Sequence, residues 1–449
     1  MGGGVTGVST FSGEDSIVDM ASMRWSSILG FVKGLLFFLA ITTSAVSQRT
    51  AAHLPVFPGA EGWGSNTPAG RGGKILRVTN LDDGGPGSLR AAVDAAGARI
   101  IVFEVGGTIR LGADLNIKHP YVTVAGQSAP PPGITLRGAG VRVSTHDVLI
   151  QHLRIRVGDD PVGPAPANRD ALQILGPGAR NVVIDHLSAS WALDENVSTW
   201  YPLSDVTIQH SIISEGLAGN PLNRAGQGGK GLLVGDASQR VALIGNLFAH
   251  NIERNPRIKG NTSVLVINNL FYDAAKYSFM SIGSPTGPVL ISIVGNIFFS
   301  GPSTADSTKA IKVESNASDG TTVFLGDNRF DNKPLVIKQA RHFVLDSPPI
   351  WCEPLSVLPS SEVEEWVLSH AGARPVDPDE VDNRIKADVR SGRGRIIVSQ
   401  KDIGGWPNLK ASFRSFVIPS NPDGDDDGDG YTNIEETLHR MATEIENTH

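Results

Sequence analysis

Five stretches of this chain carry side chains that could do chemistry together. The first is Glu253-Arg254-Asn255-Pro256-Arg257-Ile258-Lys259-Gly260, which sets three cations within six residues. Pro256 fixes its own φ and pushes Asn255 toward extended backbone, so Arg254 leaves a stiffened loop. The others are Asp170 ahead of Ala171-Leu-Gln-Ile-Leu175, Asp185-His186, Asp194-Glu195, and Lys230 ahead of Gly231-Leu-Leu-Val-Gly235. Carboxylates are hard ligands for calcium, and Lys and Arg bind sugar carboxylates directly. Acids early and bases late along one groove therefore suit calcium plus an anionic polymer. A sixth stretch, Asp425 to Glu436, matches the twelve-residue calcium loop, with Asp425, Asp427, Asp429, Gly430 at the sharp turn and Glu436 at the end. A structural rather than catalytic role is expected of it.

These groups share a face only if the intervening chain repeats, and it does. Strands at 182–187, 206–212, 241–248, 264–271, 290–298 and 323–330 have one form: alternating apolar residues, a His or Asn, then a short apolar pair. The marked polar residues are His186, His210, Asn246, Asn269, Asn296 and Asn328. A period in the twenties with irregular insertions signifies stacked coils, with asparagines bonding from coil to coil. The expected fold is all-β: a right-handed, single-stranded parallel β-helix over residues 48–330. Ser88 should cap a short helix from Leu89 that covers its open end. Helical patterns at 362–370 and 380–389 lie in a segment, 331–420, expected to wrap back over the stack, and 421–449 forms the calcium-loop tail.

Composition agrees. The chain has 51 glycines and 28 prolines in 449 residues, which suits a turn-rich β protein. A net charge of −7 gives no support for nucleic-acid binding, and neither N-terminal glycine cluster has the lysine-hydroxyl ending of a phosphate loop. Arg24 and Lys33 precede the apolar run 34–41, followed by small residues at 45–47. This reads as a signal peptide over 1–47, with Met20 or Met23 as alternative starts, and predicts a secreted monomer free of the membrane after cleavage. The single cysteine, Cys352, excludes a disulfide within the chain.

Segments 57–93, 185–198, 230–235 and 254–260 resemble secreted pectate lyases of the pectate lyase C-like family, and the resemblance spans roughly residues 55–330. It implies calcium-assisted β-elimination of polygalacturonate, giving 4,5-unsaturated uronate ends. In the family's Arg-x-Pro-x-x-Arg loop the first arginine is the base, which falls on Arg254. The last binds substrate and falls on Lys259, with Arg257 as an additional cation. The substrate-binding lysine matches Lys230. Calcium ligands fall on Asp170 and Asp194, but Ser198 stands where the family has a further Asp, and the neighbouring Glu195 is expected to compensate. Asp185-His186 reads as a turn pair of the polar ladder; Trp191 and Trp200 could stack on sugars, but a structural role is expected of them. Asn196-Val-Ser198 forms a glycosylation sequon. The residues alone leave open an inverting glycoside hydrolase, with Asp170, Asp185 and Asp194 as acid and base, and a non-catalytic polyuronate-binding β-helix.

Overall fold

A computed structural model describes residues 54–223, 228–335, 337 and 344–446; the expected signal peptide lies outside them. Three sheets, of eleven, eight and eleven strands, run the length of the stack, and nearly every pairing is parallel and joins one coil to the next. Thus Arg180–Asp185 pairs with Leu203–Gln209, which pairs with Ser238–Ile244, then Thr262–Ile267, then Val289–Val294. This is a parallel β-helix. One core of fully buried Val, Ile, Leu and Phe fills the coil interior. Phe248, Phe271 and Phe298 stack within it at 4.9 and 4.5 Å between ring centroids.

The asparagines form the expected ladder. Asn246 Nδ2 donates to Asn269 Oδ1 at 2.9 Å, Asn269 Nδ2 to Asn296 Oδ1 at 3.0 Å, and Asn296 Nδ2 to Asn328 Oδ1 at 2.9 Å. Each amide also donates to the carbonyl of a coil strand, so no buried polar atom is left unpaired at these turns. The histidines correct the sequence alignment by one residue. Gln209 pairs with Ile244, so His210 is level with Gly245, and Ser211 with Asn246, whose Oδ1 accepts from the Ser211 amide at 2.9 Å. His186 and His210 hold the left-handed turn position, at φ +51° and +48°, which later coils fill with Gly245, Asn268, Gly295 and Asp327.

Helix α1, Leu89–Asp94, is capped by Ser88, whose hydroxyl accepts from the Ala91 amide. It buries Leu89, Ala92 and Val93 against the first coils. Helices α2, Ser360–His370, and α3, Glu380–Ser391, press Val363, Val367, Val381, Ile385 and Val389 onto Trp191, Ile212, Leu247 and Leu270. Each such side chain stabilises the docking by roughly 1.5–3 kcal/mol. The docking is fixed by charge as well: Arg156, fully buried, donates to Asp379 Oδ1 at 2.7 Å and to Asp382 Oδ1 at 2.9 Å. Helix α4, Asn433–Glu446, seats Ile434 and Leu438 on Ile100, Val102 and Ala125. Among the described residues no helix is long and apolar enough to cross a membrane.

Candidate active site

The outer face of the eight-stranded sheet carries the site. Strand Leu172–Leu175 pairs with Glu195–Trp200, which pairs with Lys230–Val234, in a register that sets Glu195 opposite Lys230. Asp170, just before the first of these strands, accepts from the Glu195 amide at 3.2 Å. Lys230 is bridged in turn to Glu253, next to Arg254. One open cleft of about 430 Å³ is consequently lined by Asp170, Asp194, Glu195, Lys230 and Arg254 together.

Buried amides hold the loop in place. Asn196 Nδ2 donates to Asn251 Oδ1 at 2.9 Å, and Asn251 Nδ2 to Asn255 Oδ1 at 3.0 Å, tying the neighbour of Glu195 to the neighbour of Arg254. Gly231 lets this loop pass: a Cβ there would lie 2.3 Å from Asn255 Oδ1 and 2.7 Å from the Arg254 carbonyl. Arg254 itself takes the left-handed backbone, φ +61°, as turn residues of this stack such as Trp191, Arg240 and His250 also do. The same amide bonds leave Asn196 fully buried, so the sequon is inaccessible in the folded chain.

Three carboxylates converge here with ligand atoms within 4.8 Å of one another: Asp170, Asp194 and Glu195. Ser198 is not among them; its hydroxyl donates to Asp170 Oδ2 at 2.7 Å, and Gln173 donates to the same oxygen at 2.9 Å, so the two orient that acid. Burial, with the charge of Asp194, pushes Asp170 up to about 6. Glu195 is pushed up to about 8, by burial first and then by Asp170, although Arg254 and Lys230 oppose the shift. Lys230 Nζ contacts Asp194 and lies 3.6 Å from Glu195 Oε1, and Arg254 Nη1 donates to Glu195 Oε1.

The other two cations of the loop stand outside the acid cluster. Arg257 Nη1 donates to Glu314 Oε1 at 3.0 Å and Nη2 to the Gly283 carbonyl at 2.9 Å. Lys259 Nζ lies 2.5 Å from Asp236 Oδ2 and 4.7 Å from the Trp200 ring centroid, behind an aromatic face that lines the cleft. Trp191 is buried, its indole donating to Glu215 at 2.9 Å. In the C-terminal loop Asp425, Asp427 and Asp429 converge as the motif requires. Gly430, at φ +99°, donates to Asp425 Oδ2 at 3.0 Å, and Glu436 lies in the first turns of α4.

Sequence reasoning passed over Arg142 and Tyr201, which also line the cleft, and Lys276 and Lys312, which stand with Glu253 and Glu314 around a small pocket beyond Arg254. Arg142 was findable, since Val141-Arg142-Val143 alternates as Leu172-Gln173-Ile174 does, and the two pair residue for residue.

No protein-family model matches the chain. Among curated proteins it is 33% identical over 409 residues to a probable pectate lyase C of Aspergillus flavus, covering 86% of this chain and 90% of that one. A probable pectate lyase C of Aspergillus fumigatus is 33% identical over 405 residues, covering 87% and 89%. Among solved structures, a Bacillus subtilis pectate lyase mutant superposes with a TM-score of 0.54 at 13% identity, over 72% of this chain and 98% of that one. The cedar pollen allergen jun a 1 gives 0.52 at 20% identity, over 69% and 91%. These two confirm the fold, and the curated relatives match along nearly their whole length. The chain belongs to the pectate lyase family of polysaccharide lyases.

Proposed function

We propose that this lyase cleaves de-esterified polygalacturonate by β-elimination in the cleft over Asp170, Asp194 and Glu195, outside the cell that makes it. The observation that carries the proposal is the meeting of three carboxylates with Lys230 and Arg254 in one open cleft. The donor set is all carboxylate oxygen, and two of its acids are held above their ordinary range, so the charges there are under-compensated. Such a set fits calcium, with Asp170, Asp194 and Glu195 as its ligands. When bound, the ion supplies positive charge against a uronate carboxylate and so acidifies the neighbouring C5–H.

The side chains do the rest. Lys230 binds and orients sugar oxygens beside the acid cluster. Arg254 is the base that takes the C5 proton, on a side-chain nitrogen acting as a guanidine. The C5–H electron pair forms the C4=C5 double bond, the C4–O bond breaks, and the departing oxygen takes a proton from water. Each event gives one unsaturated end and one new reducing end. Arg257, Lys259, Lys276 and Lys312 are each paired with a carboxylate in the free protein and would meet the flanking uronates by exchanging those partners.

Product chemistry tests the proposal. Polygalacturonate should yield the ultraviolet absorbance of a carbonyl-conjugated double bond in step with reducing ends, and a calcium chelator should abolish both. Reducing ends without absorbance would instead identify a hydrolase.

The raised acids also set a pH dependence. Asp170 and Glu195 hold protons more tightly in the fold than in the unfolded chain, so the calcium-free protein should lose stability as pH rises through about 6 and then about 8. Calcium binding must displace those protons. Its apparent affinity should therefore climb by up to about a hundredfold per unit below about pH 6, where two protons leave, and by about tenfold per unit from there to about 8. Thermal unfolding with and without calcium at pH 5.5 and 8.5 checks this. An equal calcium-induced shift at both values would count against Glu195 as a ligand.

A further inference from the structure

Asp185 and His186 take no part in the cleft. Asp185 ends a strand of an eleven-stranded sheet and His186 follows it, and there His152 and the last described residue of α4, Glu446, meet them. We propose that this cluster is a binding site for one divalent transition-metal ion of the zinc class, with His152 Nε2, His186 Nδ1, Asp185 and Glu446 as ligands.

His152 Nε2 and His186 Nδ1 are both buried and unpartnered by hydrogen-bond geometry. Nδ1 of His152 donates to the Ala373 carbonyl at 2.9 Å. In the neutral ring that leaves Nε2 as a bare lone pair, yet it faces Glu446 Oε1 at 2.9 Å, acceptor against acceptor. His186 Nδ1 likewise faces two carboxylate oxygens, Asp185 Oδ1 at 3.0 Å and Glu446 Oε1 at 3.6 Å. Without a metal, the carboxylates are satisfied only by protonating His152 and placing the His186 proton on Nδ1, which buries an imidazolium against a second ring lying nearly parallel at 4.9 Å between centroids. A single metal ion among the four atoms takes the His152 and His186 lone pairs and both carboxylates without burying an imidazolium.

The geometry and charge fit such an ion. The four ligand atoms lie within 4.8 Å of one another. Tetrahedral zinc with bonds of about 2.0–2.1 Å sets its ligands about 3.3–3.4 Å apart, and the His152–Glu446, His186–Asp185 and His186–Glu446 separations of 2.9, 3.0 and 3.6 Å bracket that spacing. Two neutral imidazoles and two carboxylates carry −2, which a divalent ion neutralises in a buried place. Imidazole donors favour zinc-class ions over calcium. The outer contacts are those a metal site needs. The carbonyl of Ala373 fixes the His152 ring, while Gln151 and Gln209 donate to the two oxygens of Asp185 at 2.9 and 3.0 Å. Bound metal would clamp the end of α4, and with it the loop 425–436, onto the coil stack.

The test uses the full chain, stripped with chelator, then titrated with zinc or cobalt in excess calcium to occupy the oxygen sites. One ion per chain should bind below about 1 µM, cobalt should give the visible bands of a tetrahedral site, and zinc should raise the unfolding temperature. His186→Ala should abolish binding. Glu446→Gln, at a helix end where folding is not at stake, should weaken it at least about tenfold. Asp425→Asn should leave it unchanged. The proposal is overturned if the folded wild-type chain takes up no zinc, takes it up only at millimolar levels, or binds it as tightly after Glu446→Gln.

Discussion

Replacing Arg254 by lysine should cut turnover on polygalacturonate by at least about a hundredfold, the lower end of what a positioned general base contributes. Arg257→Lys should stay within severalfold of the parent. Both substitutions keep a positive charge, so a groove that needs only attractive field would tolerate either. The structure separates the two sites. Arg254 rises from a left-handed backbone position, lines the cleft and reaches Glu195. Arg257 is already engaged by Glu314 and the Gly283 carbonyl. Lysine cannot present two guanidinium nitrogens in a fixed plane, and that loss should appear in kcat rather than in KM. Equal and mild losses at both positions would take Arg254 out of the proton-transfer step.

The second large effect is expected at Glu195. Glu195→Gln should raise the calcium concentration for half-maximal activity by at least about tenfold, since one of three charged ligands becomes neutral. It should also flatten the rise of calcium affinity toward pH 8, because the group that titrates there has gone. Ser198→Asp is a useful contrast. The Ser198 hydroxyl donates to Asp170 Oδ2, so an aspartate would set a fourth carboxylate against that oxygen. The calcium-free protein should be less stable for it, and calcium should bind more tightly. A calcium titration unmoved by Glu195→Gln would remove Glu195 from the ligand set.

Much of this architecture was legible because the coils repeat the same physical requirement. Asn246, Asn269, Asn296 and Asn328 mark one turn in four coils, since only a short amide both donates and accepts along a stack. The misplacement of His186 and His210 has the same root. The ladder position and the left-handed position before it are adjacent, both accept polar residues, and residue type alone does not separate them. Pairing does, through Gln209 and Ile244. At the site, the coil spacing and the family motif marked five residues that the structure groups in one cleft. The partners that draw Arg257 and Lys259 aside were not legible. Glu314 and Asp236 lie on other coils, and their approach depends on loop lengths with no periodic signature. The same holds for α4: the tail reads only as a calcium loop, and neither its helix nor the seating of Ile434 and Leu438 on Ile100 and Val102 was foreseen.

The most direct measurement is a crystal structure of the Arg254→Lys protein with calcium and an oligogalacturonate. The account predicts an ion bonded at about 2.3–2.6 Å to oxygens of Asp170, Asp194 and Glu195 and to a uronate carboxylate, with Lys230 on the same sugar and residue 254 facing its C5. An ion that leaves Glu195 unbound, or a sugar chain lying away from the eight-stranded sheet, would contradict it.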